Sequence, residues 1–485
     1  MMKTTLIFGV ILVLFMSMQQ TKADKVLSLN LDDCLKTVIR NSSEYKIAQM
    51  RYRAAEASYS SAKLSYYVPN LTLNFNTPEY SWFGDYQDYY GAAGRVYFVE
   101  EYYNYTSSLD LSQKLFTGGD VTVSGLLNSY RRTSNIFTNY DEVRTNLQFS
   151  IEQPIFNWNR HKIELDKARV DYDLSRLKYS EETNQVISDL TTNYIHYLTS
   201  QKQLKIAELK VQNADLDYIS AEKKSQEGLI SDMEFAQKRT EKMDRKLELL
   251  DGKRNFEEYQ AKLLQMLKIE EEVELNLNQN IELGQFSLEQ EKNKNIGQSS
   301  EVLKAQGEAR KKELELKEAK ASGGIDGRVN FYYGFLGRGP IARESIDDFK
   351  KNRWGVSIVL SLPIWDGGAH SFSIRSSQLS LEEAKKASEL TKSQMKSKLE
   401  AIVSKLSTAW EKVGFLKEEL KLAGDDWTNA QKKNQMGLLS EGQMLDAQIT
   451  FLETEVKYLN AVLDYRIYRI ELDKMWGMVP ESDEK

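Results

Sequence analysis

The sequence predicts a mainly α fold with a transmembrane β-barrel. Three observations carry this prediction: two long stretches without proline, a repeat of the whole pattern at one constant offset, and short segments in which apolar and polar residues alternate. Of the 485 residues, 28% are charged, while only 26 are Gly and 6 are Pro. This composition favours long helices over a loop-rich chain.

The N-terminus has the features of a secretory signal. Lys3 precedes the apolar run LIFGVILVLF, and the small residue Ala23 follows a polar stretch. We expect residues 1–23 to be a signal peptide, with an uncleaved anchor as the alternative. The run is shorter than the roughly 20 apolar residues of a spanning helix, and no other window comes closer. A membrane location would therefore require a barrel or surface attachment.

Charge and reactive side chains limit the possible functions. The formal net charge is −6, so nucleic acid is not an expected partner, because that binding depends on basic patches. The single cysteine, Cys34, cannot form an internal disulfide, and we interpret it as a buried helical thiol. His161, His196 and His370 lack metal-ligand spacing. With no nucleophile elbow or phosphate-binding loop either, we predict no enzyme, no cofactor and no metal site.

One repeat organises the chain. The segment QPIFN around Pro154 resembles LPIWD around Pro363, and EGLIS around Gly228 resembles MGLLS around Gly437, both at an offset of 209 residues. A constant offset over so long a distance indicates two copies of one unit. We expect a first repeat over 24–290, lengthened upstream of Pro154, a second over 291–480, and a tail over 481–485.

Each repeat contains a stretch that predicts a long helical hairpin. About 70 residues without proline precede each glycine, enough for roughly 105 Å of helix. Gly228 and Gly437 are expected to end these helices, because glycine adopts the left-handed conformation. In the second copy, the returning helix has apolar residues at intervals of three and four, typical of a packed seam: Leu445, Ile449, Leu452, Val456, Leu459, Leu463, Ile467 and Ile470. The first copy has Met243, Leu247 and Leu250 in register and then the charged Arg254.

Period-two alternation predicts strands upstream of each proline. We expect a strand over 71–76 to pair with one over 147–152, and one over 329–335 to pair with one over 356–362. The aromatic-rich segments 78–104 and 336–352 are expected to be long loops. An extra apparent hairpin, 108–113 with 121–126, leaves the strand number open. One apolar face suits a lipid-facing barrel, although a soluble sandwich would show the same alternation.

In this order the segments resemble the TolC family of outer-membrane efflux proteins. The segments that resemble the family are LSLNLDDCLKTVIRNSSEYKIAQ at 27–49, YYVPNLTLN at 66–74, the strand-to-helix junctions at 153–168 and 362–378, and the hairpin tips EGLIS and MGLLS. The first junction departs from the family pattern, because Asn157, Trp158 and Asn159 replace the usual Asp-Gly-Gly. The extra hairpin is a second departure, since the family implies four strands from each protomer.

The resemblance implies a homotrimer in which helices form an α-barrel tunnel and strands complete one shared barrel in the outer-membrane lipid. It also implies a periplasmic adaptor protein and an inner-membrane pump as partners. The tip residues Gly228, Leu229, Gly437 and Leu438 are the candidate adaptor contacts, although the glycines alone are explained by helix ends. Four carboxylates near the tips are candidates for a ring that narrows the tunnel, or are solvated side chains: Asp232, Glu234, Glu441 and Asp446.

The resulting hypothesis is a passive channel of the cell outer membrane that extends into the periplasm and serves a tripartite efflux or type I secretion system. The resemblance leaves open whether the substrate is a drug, a metal ion or a protein. The alternative hypothesis is a secreted or periplasmic coiled-coil scaffold. These two differ in their need for a membrane.

Overall fold

The structure, a computed structural model, describes residues 26–88, 94–156, 159–269, 274–278, 281, 283, 287–322, 325–349 and 351–477. The predicted signal peptide and the predicted tail lie outside the described residues. Two compact units divide the chain. Unit 1 comprises 1–50, 178–300 and 393–485, and unit 2 comprises 51–177 and 301–392. Each unit draws on both predicted repeats, and the repeat boundaries stay a prediction.

Four helices form two hairpins whose elements recur at the predicted offset. Helices α3 (Arg160–Gln226) and α8 (Ala369–Gln435) each have 67 residues and begin 209 positions apart. Each corresponds to about 100 Å of helix. Their returning partners, α4 (Asp232–Leu267) and α9 (Glu441–Met475), have 36 and 35 residues. The predicted helical hairpins are confirmed.

Shorter elements surround these hairpins. In unit 1, α1 (Leu31–Asn41) is capped by Asn30, whose side chain accepts a hydrogen bond from the backbone of Asp33. Strands β1 (Val26–Leu29) and β6 (Glu274–Leu277) pair in parallel. The remaining helices are α2 (Ser43–Tyr67), α5 (Leu288–Lys292), a 3₁₀ turn (Ile296–Gln298), α6 (Ser300–Ser322) and α7 (Ala342–Asp347). In the described part of the chain, no helix combines the length and apolar content needed to cross a membrane.

Unit 2 contains one antiparallel sheet of six strands. They lie in the order β2-β3-β4-β5-β7-β8, and every neighbouring pair is antiparallel. Their bounds are β2 (Asn70–Asp88), β3 (Arg95–Lys114), β4 (Asp120–Ser134), β5 (Tyr140–Pro154), β7 (Asp326–Gly339) and β8 (Lys351–Ser361).

The sheet confirms some strand predictions and corrects others. The pairing of 329–335 with 356–362 is confirmed in β7 and β8, and the pairing of 108–113 with 121–126 is confirmed in β3 and β4. The prediction that 71–76 pairs with 147–152 is wrong, because β2 pairs with β3 while β5 lies between β4 and β7. Segment 78–104 is also not a loop, since β2 continues to Asp88 and β3 begins at Arg95.

The repeat offset identifies which hairpin is additional. At the offset of 209 residues, β4 and β5 correspond to 329–343 and 349–363, which overlap β7 and β8, and each of these two hairpins leads into a long helix. The hairpin without a counterpart in the second repeat is therefore β2–β3, inserted between α2 and β4. The first repeat contributes four strands to the sheet and the second contributes two.

The core of unit 1 lies where the long helices pack together. Leu459 and Leu463 of the predicted seam are among its buried residues, and Leu190 and Tyr194 of α3 are fully buried. Cys34 is also fully buried, as predicted. Burial, and secondarily the neighbouring charge of Asp33, raises the pKa of its thiol to about 12.

Candidate functional surfaces: an amphipathic sheet and two helical tips

The six-stranded sheet has one face that is apolar from edge to edge. The strand registers align Leu71 with Leu111, Val123, Phe149, Tyr333 and then Trp354, so alternate residues of all six strands share this face. Several members are large and exposed; Leu73 has 69% of its surface exposed. The other members are Phe75, Leu109, Val121, Leu127, Leu147, Ile151, Val329, Phe331, Phe335, Val356, Ile358 and Leu360.

The opposite face is polar and cross-linked by hydrogen bonds. Asp110 of β3 accepts hydrogen bonds from Asn74 of β2 (2.7 Å), from Ser108 (2.8 Å) and from Ser124 of β4. Further along the same strands, Asn128 donates to Asn104 at 2.8 Å. These contacts tie β2, β3 and β4 together, so the inserted hairpin is part of the same amphipathic surface.

Two buried carboxylates lie near the β4–β5 turn, and arginines neutralise them. Glu142 is 2.8 Å from Arg144 and 3.7 Å from Arg338. Glu100 of β3 is 3.5 Å from Arg132 of β4. Burying a carboxylate without a cation would be costly, so these pairs allow acidic groups within the sheet.

Both helical tips have the same backbone structure. Gly228 and Gly437 have φ values of +70° and +72°, which end α3 and α8 in the left-handed conformation. The following amides of Leu229 and Leu438 donate to the carbonyls of Lys224 (2.8 Å) and Lys433 (2.9 Å), completing a Schellman motif at each tip. The predicted role of both glycines as helix ends is confirmed.

The tip leucines lack the contact that such a motif usually contains. In a Schellman motif the residue after the glycine commonly packs on an apolar side chain one turn earlier. Here that earlier position is Lys224 or Lys433, and Leu229 and Leu438 remain 68% and 73% exposed. Ending the helix therefore explains the glycines but leaves the exposed leucines unexplained.

Both returning helices begin with a capping box. Hydrogen bonds in this region give two of the four candidate carboxylates a local structural role. Ser231 accepts from the backbone of Glu234 at 3.2 Å, and the Glu234 carboxylate accepts from the backbone of Ser231 at 3.0 Å. Ser440 and Gln443 form the equivalent box. Asp446 accepts a hydrogen bond from Asn213 at 2.7 Å. Glu234 and Asp446 thus have local structural roles.

Asp232 and Glu441 remain, and they lie 209 positions apart. Both occupy the first position of a returning helix and are exposed. The positive end of the helix dipole favours a carboxylate at this position, which is the simpler explanation for each. As an equivalent pair they are the better candidates for a ring of carboxylates.

The junctions before α3 and α8 contain caps that the sequence did not reveal. Asp366 accepts hydrogen bonds from the backbone of His370 and of Gly368, each at 2.8 Å, and these bonds lower the pKa of its carboxyl group. At the first junction Asn159 accepts from the backbone of Lys162 at 2.9 Å. Asn159 therefore caps α3 despite the departure from Asp-Gly-Gly; residues 157 and 158 lie outside the described chain.

The comparisons with known proteins agree with this geometry. Residues 120–267, which span β4, β5, α3 and α4, match the model of the outer membrane efflux protein family. The CmeC outer membrane channel of Campylobacter jejuni is 14% identical, with a TM-score of 0.60 over 94% of this chain and 87% of that chain. The outer membrane protein VceC of Vibrio cholerae is 13% identical, with a TM-score of 0.56 over 92% and 95%. No curated protein sequence matches significantly.

The open-state MtrE outer membrane channel of Neisseria gonorrhoeae gives a similar result, with 12% identity and a TM-score of 0.57 over 92% of this chain and 88% of that chain. Identities this low show the fold alone, and that fold is the one found in outer membrane channels. The family match over residues 120–267 and this fold agree with the predicted TolC-like resemblance. This is a family of channels and not of enzymes.

Proposed function

We propose that this chain is the outer-membrane channel of a tripartite efflux or type I secretion system, a passive conduit that extends into the periplasm. The observation that carries the proposal is the six-stranded sheet with one continuous apolar face and one polar face. A sheet with lipid on one side and water on the other requires this division. The match to the outer membrane efflux protein family supports the same conclusion.

Physics supports a shared barrel. Within the described residues, the outer edges of β2 and β8 pair with no further strand. Unpaired backbone groups in lipid cost several kcal/mol each, so a membrane sheet must close on itself. Copies of the chain can supply the missing neighbours, and the TolC-like resemblance favours three copies.

The repeat also indicates how the helices of neighbouring copies meet. In unit 1, the α9 seam packs on α3, where Ile206 and Leu209 contact the buried cluster of Leu445, Ile449, Leu452 and Val456. On α4 the positions equivalent to Leu452 and Val456 are Met243 and Leu247, which are 49% and 60% exposed. The position on α8 equivalent to Ile206 is Phe415, which is 72% exposed.

Repetition of the α3–α9 contact between copies would cover these side chains. In this arrangement α4 of one copy packs on α8 of the next, and Met243 and Leu247 meet Phe415. An ion pair between α3 and α9 also has an equivalent between α8 and α4, in which the acidic and basic residues have changed places. Lys202 of α3 lies 3.0 Å from Glu455 of α9, and the equivalent residues are Glu411 on α8 and Lys246 on α4. An opposite-charge contact would be retained.

The exposed tip leucines support a contact with a periplasmic adaptor. Leu229 and Leu438 are apolar, repeated and unsupported by their own helix ends. Three copies would present six such leucines together with Asp232 and Glu441, and we propose that these two carboxylates form the narrowing ring. An inner-membrane pump would supply the energy for export.

Envelope fractionation with mass determination of the detergent-extracted protein tests the function. A trimer recovered from the outer membrane is the expected result. A water-soluble monomer or dimer would contradict the channel and would favour a coiled-coil scaffold. Replacing Leu229 and Leu438 together by Ser should reduce adaptor capture without changing the trimer, with Leu229→Ile and Leu438→Ile as the apolar control.

A further inference from the structure

The inserted β2–β3 hairpin changes how the shared barrel must close, and the inference drawn from it rests on the proposed function. The hairpin continues both faces of the sheet. Its β3 strand pairs with β4 without interruption from Glu100 opposite Ser134 to Lys114 opposite Asp120. Detaching the hairpin from a barrel would break this entire ladder, together with the hydrogen bonds that Ser124 donates to Asp110 and Asn128 donates to Asn104.

We propose that β2 of each copy pairs with β8 of the next, so that three copies close a barrel of eighteen strands. The direction of the strands is compatible with this closure. Because all five neighbouring pairs are antiparallel and the strand number is even, β2 and β8 run in opposite directions. The new pair would therefore continue the antiparallel order.

The two edges also match in chemistry. The apolar face ends at Leu71, Leu73 and Phe75 on β2, and these side chains are 63%, 69% and 63% exposed. On β8 it ends at Val356, Ile358 and Leu360, which are 57%, 63% and 62% exposed. Pairing Leu71 with Leu360 places the six side chains together in three cross-strand pairs on the lipid-facing side. The polar-face positions Thr72 and Val359 then lie opposite each other.

The stagger of the sheet agrees with this register. Across the protomer, the ladders align Leu71 with Trp354 of β8, six residues before Leu360. Six residues at about 3.3 Å each, over six strands about 4.8 Å apart, give a strand tilt of about 35°. Membrane barrels have tilts of about 35–45°, so the apolar match and the geometry favour the same pairing.

Closure with eighteen strands sets the width of the barrel. Barrel diameter grows roughly in proportion to strand number, so this barrel would be about 1.5 times as wide as one with four strands from each of three copies. Eighteen strands lie in the range at which barrels enclose an aqueous channel. The inserted hairpin would therefore widen the exit of the conduit.

Disulfide cross-linking distinguishes the two barrels. The variant Thr72→Cys/Val359→Cys joins β2 to β8 of the next copy if the barrel has eighteen strands. The matched variant Thr122→Cys/Val359→Cys keeps the same β8 cysteine and joins β4 to β8 if the hairpin is excluded and twelve strands close the barrel. Cys34 is fully buried and contributes little background. Each variant is oxidised in native membranes and then separated under denaturing, non-reducing conditions.

We expect covalent dimers and trimers from the Thr72 variant, with at least tenfold lower yield from the Thr122 variant. The Thr72→Cys/Ile358→Cys control, whose second cysteine lies on the apolar face, should not cross-link. A second seam pair, Asn74→Cys/Ser357→Cys, covers the case in which the first variant folds poorly. Cross-linking through Thr122, or a trimer in which neither seam pair links, would overturn the inference while leaving the channel intact. Absence of any trimer would instead contradict the proposed function.

Discussion

The two helical hairpins have equal geometry but different contacts. Helices α3 and α8 have the same length, α4 and α9 differ by one residue, and the two hairpins share their tip structure and capping boxes. Between α8 and α9, Trp427 stacks on Phe451 with ring centroids 5.2 Å apart. At the equivalent positions of the first hairpin, Lys242 lies 4.5 Å from the ring of Tyr218 and 2.7 Å from Asp215. The second hairpin is joined by apolar contacts where the first uses charges.

The returning helices differ in the same way. Leu459 of α9 is 2% exposed, whereas its equivalent Leu250 on α4 is 62% exposed. Local signals such as caps and glycines therefore determine where the helices begin and end. They do not determine what each apolar stripe packs against, because that depends on the neighbouring helix. In one hairpin the neighbour belongs to the same chain, and in the other we propose that it belongs to the next copy.

The largest expected effect is the difference in stability between alanine variants at Leu459 and at Leu250. Leu459→Ala should lower the free energy of unfolding by about 2–5 kcal/mol, because it opens a cavity in a packed seam. Leu250→Ala should change the stability of a dissociated protomer by less than about 0.5 kcal/mol, as is usual for exposed positions. Denaturant titration in detergent measures both. Equal losses would mean that α4 and α9 do not differ in the isolated protomer.

Alanine substitutions at the two tip glycines should destabilise the two hairpins equally. Gly228→Ala and Gly437→Ala force a Cβ into the left-handed region, at a cost of about 1–2 kcal/mol each. Neither added Cβ would meet another atom within 4 Å, so conformational strain is the only expected contribution. Hydrogen exchange of the adjacent helix ends measures the loss. A clear inequality between the two variants would show that the tips are not equivalent in the assembly.

Exchanging the charges of Lys246 and Glu411 tests the proposed contact between α4 of one copy and α8 of the next. Lys246→Glu alone, or Glu411→Lys alone, should weaken the trimer by about 0.2–1 kcal/mol, the range of exposed ion pairs. The double variant should recover most of this loss. Trimer dissociation on dilution, followed by analytical ultracentrifugation at low salt, provides the measurement. Additive losses in the double variant would place these two residues apart.

The smallest effect depends on pH. His196 of α3 packs beside Tyr259 of α4, with ring centroids 5.2 Å apart, and burial together with the charge of Lys262 lowers its pKa. The unfolded chain therefore binds a proton more readily, and the stabilisation present above the ordinary histidine pKa of about 6.5 is lost as the pH falls below it. At the equivalent position of the second hairpin, Lys405 lies 5.6 Å from the ring of Tyr468.

Unfolding of the protein between pH 7 and pH 5 measures this effect. The His196→Gln variant should have a flatter pH dependence than the unmodified chain, since a neutral amide replaces the titrating ring. Lys405→Gln serves as the matched control in the second hairpin and should leave the slope unchanged. An unchanged slope in the His196 variant would remove this group as the cause.

The sequence predicted the helical architecture because its signals are long and repeated. Period-3.6 patterns, glycine ends and a constant offset each identified the same hairpins. The strands were harder, because alternation identifies the faces of a strand but not its neighbour. In β2 the register shifts between Asn76 and Glu79, near Pro78, so the apolar face passes from Leu73 and Phe75 to Tyr80 and Trp82. This bulge hid the second half of the strand, which was interpreted as a loop.

The candidate site was predictable to a lesser degree. The tip motifs were identified because glycine conformation is local, whereas the capping roles of Glu234 and Asp446 depend on hydrogen bonds that no pattern displays. The exposure of Phe415 was also hidden, since a periodic apolar residue is expected to be buried. Its exposure becomes apparent only when the neighbouring helices are in place.

The equal lengths of α3 and α8 have a consequence for how such a chain can evolve. One residue inserted into either helix would move its tip by about 1.5 Å and turn it by about 100°, so the two tips would no longer match. A length change would have to occur in both copies at once. A strand hairpin faces no such restriction, because adding two antiparallel strands preserves both the direction and the two faces of the sheet. Descendants of a duplicated ancestor can therefore acquire strands in pairs while their helices keep a common length.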